Sequence, residues 1–211
     1  MKMMNDKLHV GSCKCFGVLF LIFVSILNSM VSDQKTALRK DMLSQRNSLS
    51  PEMIAEHSKS IAEKLFDEEH FKNANTIAFY LPKGSEVDTT FMIEALEGDR
   101  EILVPVTTDE LEMVKFTSFE NLGPGKFGVL EPREKIPSSS FSDVVVVPGV
   151  AFGLCMHRLG YGLGYYDRFL SRSPAFRIGI CYDFQVAEKL PTHENDQRMD
   201  MIITEKRVIR L

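Results

Sequence analysis

Several features that define common protein classes are scarce or missing in this sequence of 211 residues. It contains no tryptophan, no internal repeat and no low-complexity segment. Its four cysteines (Cys13, Cys15, Cys155 and Cys181) form no Cys-x-x-Cys pair, which argues against a disulfide framework or a zinc site and favours free thiols. The formal net charge of −4 argues against a nucleic-acid binder, because such proteins usually present a basic surface.

A long membrane-spanning run is also missing. The longest apolar stretch, residues 16–27, is shorter than the roughly 20 residues that a transmembrane helix needs. It would suit the core of a signal peptide, but Leu27-Asn28-Ser29 is a poor cleavage site. A targeting leader, a short anchor and an upstream extension of a protein that begins at Met30 are three alternatives. We favour the extension, and we therefore expect a hydrophobic segment 1–29, a domain 30–211, no membrane association and a cytoplasmic location.

Short apolar strands alternate with helical patterns along residues 30–211. Strands are predicted at 76–80, 101–106, 111–119, 143–147, 177–182 and 201–204. Helices are predicted to begin at Ser32 or Asp33, at Ser50-Pro51, at Asp88 or Thr89, and at Tyr165. Residues 121–137, rich in glycine and proline, predict a long irregular loop. This alternation predicts an α/β fold, a single three-layer α/β/α domain with a mostly parallel open sheet.

The stretch from 143 to 170 carries the strongest indication of a site. A run of four valines leads to glycines at 160, 162 and 164 and then to a predicted helix. Exposed backbone amides and the positive end of a helix favour a bound phosphate. Arg158 and Asp167 flank the glycines and add a fixed cation and a candidate metal ligand. A glycine-rich turn without any ligand is the alternative.

Two further groups are site candidates. Lys83, Glu86 and Asp88 follow a predicted strand, and ligands in open α/β sheets bind beyond the carboxyl ends of strands. Helix capping is the alternative role of Asp88. Lys35 and Arg39 lie four residues apart and share one helix face, for which a solvated basic surface is the alternative.

These segments occur together in a known order. The chain resembles the 5-formyltetrahydrofolate cyclo-ligases, also called 5,10-methenyltetrahydrofolate synthetases, over residues 30–211. The segments that carry the resemblance are K-T-A-L-R (35–39), E-V-D-T (86–89), E-P (131–132), P-G-V-A-F (148–152), R-L-G-Y-G-L-G-Y-Y-D-R (158–168) and N-D (195–196).

The resemblance implies an enzyme that cyclises 5-formyltetrahydrofolate to 5,10-methenyltetrahydrofolate and releases ADP and phosphate. ATP would be the co-substrate, Mg²⁺ the cofactor and a phosphorylated formyl group the intermediate. The resemblance implies a monomer whose partner is the small-molecule folate, with or without a polyglutamate tail.

The resemblance also implies roles for individual residues. The catalytic residues would be Arg158 and Lys35. ATP would contact Lys35, Thr36, Ala37, Leu38, Arg39, Arg158, Leu159, Gly160, Tyr161, Gly162, Leu163, Gly164, Tyr165 and Tyr166. The folate substrate would contact Arg39, Lys83, Glu86, Asp88 and Tyr165. Magnesium would be bound by Asp167 and Asp196.

Two positions depart from the family pattern. Gly153 stands where the family usually carries an acid, and Met156 stands where it usually carries a glycine. Because glycine eases a turn, Met156 predicts a change in local loop geometry and slower turnover. A folate-binding protein without catalysis is therefore one alternative function. A sugar-phosphate isomerase or CoA-transferase of similar layout is another, but it does not explain the glycine motif.

Overall fold

The computed structural model describes residues 13–138 and 140–210, with side chains from residue 29 onward. The helices in these ranges are α1 (Cys13–Asn47), α2 (Pro51–Asp67), α3 (Glu69–Asn73), α4 (Thr90–Glu94) and α5 (Tyr165–Leu170). The strands are β1 (Thr76–Ala78), β2 (Glu101–Thr107), β3 (Leu111–Lys115), β4 (Leu122–Pro124), β5 (Leu130–Pro132), β6 (Val144–Val147), β7 (Ala151–Gly153), β8 (Arg158–Leu159), β9 (Phe176–Ile180), β10 (Val186–Ala187), β11 (Met201–Ile203) and β12 (Val208–Arg210).

Seven strands form the central sheet in the order β12-β11-β9-β6-β1-β2-β3. The five inner strands are parallel, and β3 and β12 pair antiparallel at the two edges. All four valines of β6 are buried, as expected for an inner strand of a sheet that is covered on both faces. The predicted α/β class with a mostly parallel sheet is confirmed.

The two faces of the sheet are covered differently. On one face, Ile61 and Leu65 of α2 pack with Ile93 of α4 against strand residues such as Val146. The other face is covered by α5 together with a small sheet of order β10-β7-β8. The second outer layer is therefore only partly helical, because the chain after β6 folds back as the β7–β8 hairpin before it reaches α5.

Helix α1 begins earlier than predicted. The expected start at Ser32 or Asp33 is wrong, because the helix runs without interruption from Cys13 to Asn47. A capping residue begins a helix only where the preceding residues leave the helical conformation, and no proline or glycine stands between positions 18 and 47. Within the described residues, no helix combines the length and apolar character required to cross a membrane. The division at residue 29 stays a prediction.

The segment 121–137 is more ordered than predicted. It contains the hairpin of β4 and β5, with Leu122 opposite Pro132 and Pro124 opposite Leu130. The glycines and prolines that indicate a loop lie partly inside these short strands. At the turn, Phe127 adopts a left-handed backbone conformation with φ of 59°. The prediction of an irregular connection is therefore wrong for this hairpin.

The order of the strands reverses between β1 and β6. The chain passes from β1 to β2 on one side of the sheet, whereas β6 is followed by β9 on the other side. In open α/β sheets such a reversal creates a crevice beyond the carboxyl ends of the two strands. The segments 79–86 and 148–149 leave β1 and β6 at this edge. The topology therefore places a ligand site there.

Glycine at position 179 determines how β7 packs on the sheet. The fully buried ring of Phe152 lies against Gly179, where an added Cβ would be 2.4 Å from Phe152 Cε1. We expect Gly179→Ala to lower the free energy of unfolding by about 1–3 kcal/mol, because a buried ring must move within a close-packed core. Denaturant titration followed by circular dichroism measures this change.

The double variant Gly179→Ala/Phe152→Leu is the matched control. Leucine leaves space for the new methyl group, so we expect the double variant to lose less stability than the two single variants together. Strict additivity, or an unchanged unfolding midpoint in Gly179→Ala, would contradict this packing.

Candidate active site

A pocket of about 640 Å³ opens beyond the carboxyl ends of β1, β2 and β6. Its walls come from α1, from the segments after β1 and β6, from the glycine-rich loop between β8 and α5, and from the β4–β5 hairpin. The pocket therefore lies at the strand reversal, and it brings together segments that are far apart in the sequence.

Helix α1 contributes one face to the pocket. Ser32, Lys35, Thr36 and Arg39 line it, at the spacing of neighbouring turns of a helix. Arg39 Nε donates a hydrogen bond of 2.9 Å to the carbonyl oxygen of Gly160, so the helix is fixed to the glycine-rich loop. Two cationic side chains of α1 thus face the same pocket as the glycines.

Two predicted ATP contacts in α1 lie on other faces of the helix. Ala37 is exposed and does not line the pocket. Leu38 packs against Ala151 and Leu159, where it holds the helix on the small sheet. A helix of 3.6 residues per turn cannot direct five consecutive side chains to one side, so only part of the 35–39 motif reaches the pocket.

Arg158 is a buried cation that faces the pocket. Its Nη2 lies 3.1 Å from Asp167 Oδ1, and its Cζ lies 5.4 Å from the centre of the Tyr166 ring. Nε and Nη2 have no well-aligned hydrogen-bond acceptor among the described residues. Burial lowers the pKa of Arg158, and the Asp167 carboxylate opposes this effect. A buried guanidinium with open donors is suited to bind an anionic ligand.

The glycine-rich loop lines the pocket along its whole length, from Arg158 to Asp167. A Cβ on Gly160 would lie 2.9 Å from Arg158 Nη1, so any side chain there would force the end of the guanidinium to shift. Gly164, with φ of 67°, precedes α5 in the left-handed conformation. The Tyr165 ring lies 5.9 Å from that of Phe127, and both residues line the pocket.

Two carboxylates lie next to each other at the pocket wall. Asp196 Oδ2 accepts hydrogen bonds from Lys35 Nζ at 2.6 Å and from the His193 amide at 2.8 Å. Burial by itself raises the pKa of Asp196, but these two donors outweigh it and lower the pKa below its usual value. Asp167 Oδ1 accepts from the amide of Gln197 at 3.2 Å, so residue 167 lies beside residue 196.

These two carboxylates fit Mg²⁺ only if other ligands, such as phosphate oxygens and water, complete its coordination. The described residues contain no group of three or more metal-ligating side chains. Asp167 Oδ2 and Asp196 Oδ1, however, make no hydrogen bond to the described part of the chain. Mg²⁺ is commonly held by one or two carboxylates and completes its octahedron with phosphate oxygens and water. The two aspartates therefore suit Mg²⁺ that arrives with a phosphate ligand.

Glu86 also lines the pocket and is held from several directions. Oε1 accepts a hydrogen bond of 3.0 Å from Tyr161, and Oε2 accepts one of 3.0 Å from the Lys83 amide. The buried Arg46 lies nearby, with Nη1 3.7 Å from Glu86 Oε1. Sequence reasoning missed Arg46, although its position seven residues after Arg39 indicates the same face of α1.

Lys83 and Asp88 differ in their placement. Lys83 lines the pocket, and its Nζ donates to the carbonyl oxygen of Phe127 at the tip of the β4–β5 hairpin. Asp88 does not line the pocket. Its Oδ1 accepts from the Thr90 amide at 2.9 Å, at the start of α4, and its own amide donates to Ser58. The structure therefore places Asp88 directly before the N-cap residue Thr89, where it accepts from the first amide of α4, and not in the pocket lining.

The β4–β5 hairpin supplies a wall that the sequence patterns did not identify. Phe127, Val129 and Glu131 line the pocket opposite the glycine-rich loop. Glu131 Oε1 accepts from the Thr107 amide at 3.1 Å, which joins the hairpin to the end of β2. The E-P motif at 131–132 was the available signal for this wall.

The two departures from the family pattern lie in the turn between β7 and β8. Met156 is fully buried and adopts a left-handed backbone conformation with φ of 67°, a conformation that favours glycine. The change in loop geometry that we expected at this residue stays a prediction. A Cβ on Gly153 would lie 2.9 Å from both Cys155 Sγ and Leu190 Cβ, so this packing has no space for an acidic side chain there.

The fold and pocket together define an α/β protein whose pocket, at a strand reversal, is lined by a buried arginine. The family model for the 5-formyltetrahydrofolate cyclo-ligase family matches residues 31–205. The chain therefore belongs to the 5-formyltetrahydrofolate cyclo-ligase family.

Individual relatives agree with this family. A 5,10-methenyltetrahydrofolate synthetase structure from Aquifex aeolicus is 38% identical with a TM-score of 0.75, covering 84% of this chain and 92% of that one. A probable 5-formyltetrahydrofolate cyclo-ligase of Caenorhabditis elegans is 29% identical, over 86% of this chain and 97% of the relative. The Escherichia coli K12 5-formyltetrahydrofolate cyclo-ligase is 30% identical, over 77% and 96%.

Substitutions at Met156 test whether the left-handed turn is strained. We expect Met156→Gly to lower the free energy of unfolding by about 1–3 kcal/mol, because loss of the buried side chain costs about 2–5 kcal/mol and relief of strain returns about 1–2 kcal/mol. Met156→Ala loses similar burial without that relief, so it should be less stable than Met156→Gly by about 1 kcal/mol. Denaturant unfolding of both variants checks the order, and an alanine variant as stable as the glycine variant would argue against strain.

Proposed function

We propose that this protein catalyses the ATP- and Mg²⁺-dependent cyclisation of 5-formyltetrahydrofolate to 5,10-methenyltetrahydrofolate, with release of ADP and phosphate. The observation that supports it best is the buried Arg158 guanidinium, which lines a pocket of suitable size and has two donors without an aligned acceptor, in a member of the cyclo-ligase family. That family membership also disfavours the isomerase and CoA-transferase alternatives.

The chemistry explains why such a site is needed. The formyl oxygen of the substrate is a poor leaving group, so the γ-phosphoryl group of ATP is first transferred to it and ADP is formed. The N10 nitrogen then attacks the activated formyl carbon, loses its proton, and phosphate leaves. Both steps depend on the positioning and neutralisation of phosphoryl oxygens more than on a protein nucleophile.

The cationic end of the pocket is the proposed ATP site. Arg158, Lys35 and Arg39 face it together with the amides of the glycine-rich loop. Arg158 and Lys35 are the proposed catalytic residues, because charge accumulates on the transferring group and a preorganised cation stabilises it. Arginine suits this position because its planar fork matches the oxygens of a phosphate group.

The opposite end of the pocket is the proposed folate site. Glu86 presents a fixed carboxylate, and carboxylates accept hydrogen bonds from the N–H groups of a pterin ring. Lys83, Tyr165 and Arg39 complete this end, and Phe127 of the hairpin adds an aromatic surface. The folate formyl group then lies between Glu86 and the transferring phosphoryl group.

Asp167 and Asp196 are the proposed ligands of Mg²⁺. When bound, the ion neutralises the negative charge of the triphosphate during phosphoryl transfer. The ion pairs with Arg158 and Lys35 hold the two carboxylates in place. We further propose a cytoplasmic monomer that accepts folate with or without a polyglutamate tail.

The full-length chain, incubated with 5-formyltetrahydrofolate, ATP and Mg²⁺, should generate the ultraviolet absorbance of the methenyl product. Omission of ATP or addition of a chelator should abolish this signal. A protein that binds 5-formyltetrahydrofolate and forms no product would contradict the enzymatic function and support the non-catalytic binder.

Two variants test the phosphate end. We expect Arg158→Ala and Asp167→Ala each to lower kcat by at least about tenfold, because loss of a charged contact to a transferring phosphoryl group exceeds roughly 1.4 kcal/mol. Arg172→Ala is the matched control, since Arg172 pairs with Glu110 at 2.7 Å on the exposed surface and does not line the pocket. Near-normal turnover in both site variants would place phosphoryl transfer elsewhere.

A further inference from the structure

Arg46 is a buried arginine to which neither the motifs nor the proposed function assigns a role. Only 4% of its side-chain surface is exposed. Its Nη2 donates to the Tyr161 hydroxyl at 2.8 Å, its Nε donates to Ser85 Oγ at 3.3 Å, and its Nη1 lies 3.7 Å from Glu86 Oε1. All three contacts lead to Glu86, because Tyr161 donates to its carboxylate and Ser85 precedes it in the chain.

Packing of α1 does not explain this burial. Leu38 and Met42 already provide an apolar contact between the helix and the small sheet. Burying a guanidinium costs several kcal/mol before its partners compensate, and an apolar side chain of similar volume often holds two elements together at least as well. A buried arginine at this place is therefore better explained by the groups that it orients.

Those groups form a directed chain of hydrogen bonds. Arg46 donates to the Tyr161 oxygen, and the Tyr161 hydroxyl in turn donates to Glu86 Oε1 at 3.0 Å. Burial, followed by the nearby Glu86 carboxylate, raises the pKa of Tyr161, so the hydroxyl keeps the proton that it donates. With the Lys83 amide on Oε2, the carboxylate of Glu86 is fixed at both oxygens.

The same helix also reaches the cationic end. Lys35 and Arg39 contact Asp196 and the glycine-rich loop, whereas Arg46 lies two helical turns further on, about 10 Å from Arg39 along the axis. One face of α1 therefore serves both ends of the pocket, and the side-chain contacts of Arg46 lead to Glu86.

We infer that Arg46 is a positioning residue for folate binding: it holds the Glu86 carboxylate in place directly and through Tyr161. This inference rests on the proposed function, because the ligand of Glu86 is taken to be 5-formyltetrahydrofolate. Arg46 touches neither reacting group, and its effect passes through Glu86.

Calorimetric binding of 5-formyltetrahydrofolate, without nucleotide, tests the inference on the full-length chain. Removal of one partner of a buried charge pair is strongly unfavourable, so Arg46→Ala should raise the Kd of the folate at least about tenfold. The KM for ATP should stay within about twofold of the wild-type value. Arg46→Lys restores the charge but not the forked contacts, so its folate Kd should lie between those of the wild type and Arg46→Ala.

Tyr161→Phe provides a second test of the inference, because it removes only one hydroxyl from a side chain that is half exposed. We expect a rise in the folate Kd of about threefold to tenfold. In the double variant Arg46→Ala/Tyr161→Phe the two effects should be less than multiplicative, because both act on Glu86.

Arg100→Ala is the matched control. Arg100 donates to the backbone carbonyls of Phe71 and Lys72 at the far end of the sheet, and it does not line the pocket. We expect this variant to lose stability and to keep both the folate Kd and the KM for ATP.

Four outcomes would overturn the inference. A folate Kd in Arg46→Ala equal to that of the wild type contradicts this inference but not the proposed function. An equal loss of folate and ATP binding also contradicts only this inference, because it indicates a general structural role. Multiplicative effects in the double variant contradict the route through Tyr161. A wild-type protein that binds no 5-formyltetrahydrofolate contradicts the proposed function and this inference with it.

Discussion

The burial of the Arg158 guanidinium is the constraint on which the pocket depends. Removing a charge from water costs several kcal/mol unless an anion and hydrogen-bond acceptors replace the solvent. Asp167 replaces it only in part, because Nε and Nη2 stay without aligned acceptors in the described part of the protein. The absence of a side chain at Gly160 and the ring of Tyr166 complete this environment. The fold therefore leaves part of the charge of Arg158 without a partner, as the proposed binding of an anionic ligand requires.

Opposite charges alternate along the pocket and keep its two ends distinct. Lys35 neutralises Asp196 at the cationic end, and Arg46 lies beside Glu86 at the other. Because all of these side chains are largely shielded from water, each attraction is stronger than at the surface and each unpaired group would be costly. Helix α1 carries both Lys35 and Arg46. The packing of this helix on the small sheet through Leu38 therefore sets the geometry of both ends of the pocket.

The parts of this arrangement that the sequence predicts are local in the chain. The valines of β6 and the glycines that follow them lie within one continuous stretch, and short-range patterns describe such a stretch well. Arg46 and the β4–β5 hairpin escape prediction because their partners are distant: Tyr161 lies 115 residues from Arg46. The start of α1 was not predicted because a potential capping residue looks the same in the sequence whether a helix begins there or continues through it.

The turn at Met156 shows which property of a site motif is constrained. The backbone there takes the left-handed conformation although the residue is not glycine, and the cost of roughly 1–2 kcal/mol is offset by full burial of the methionine side chain. At Gly153, by contrast, the chain has no side chain where the family usually carries an acid, and Leu190 and Cys155 occupy the space that a side chain would need. The two substitutions therefore move side-chain volume from one position of the turn to another. Because β8 begins at Arg158, two residues after Met156, the backbone path through this turn determines where the guanidinium enters the pocket.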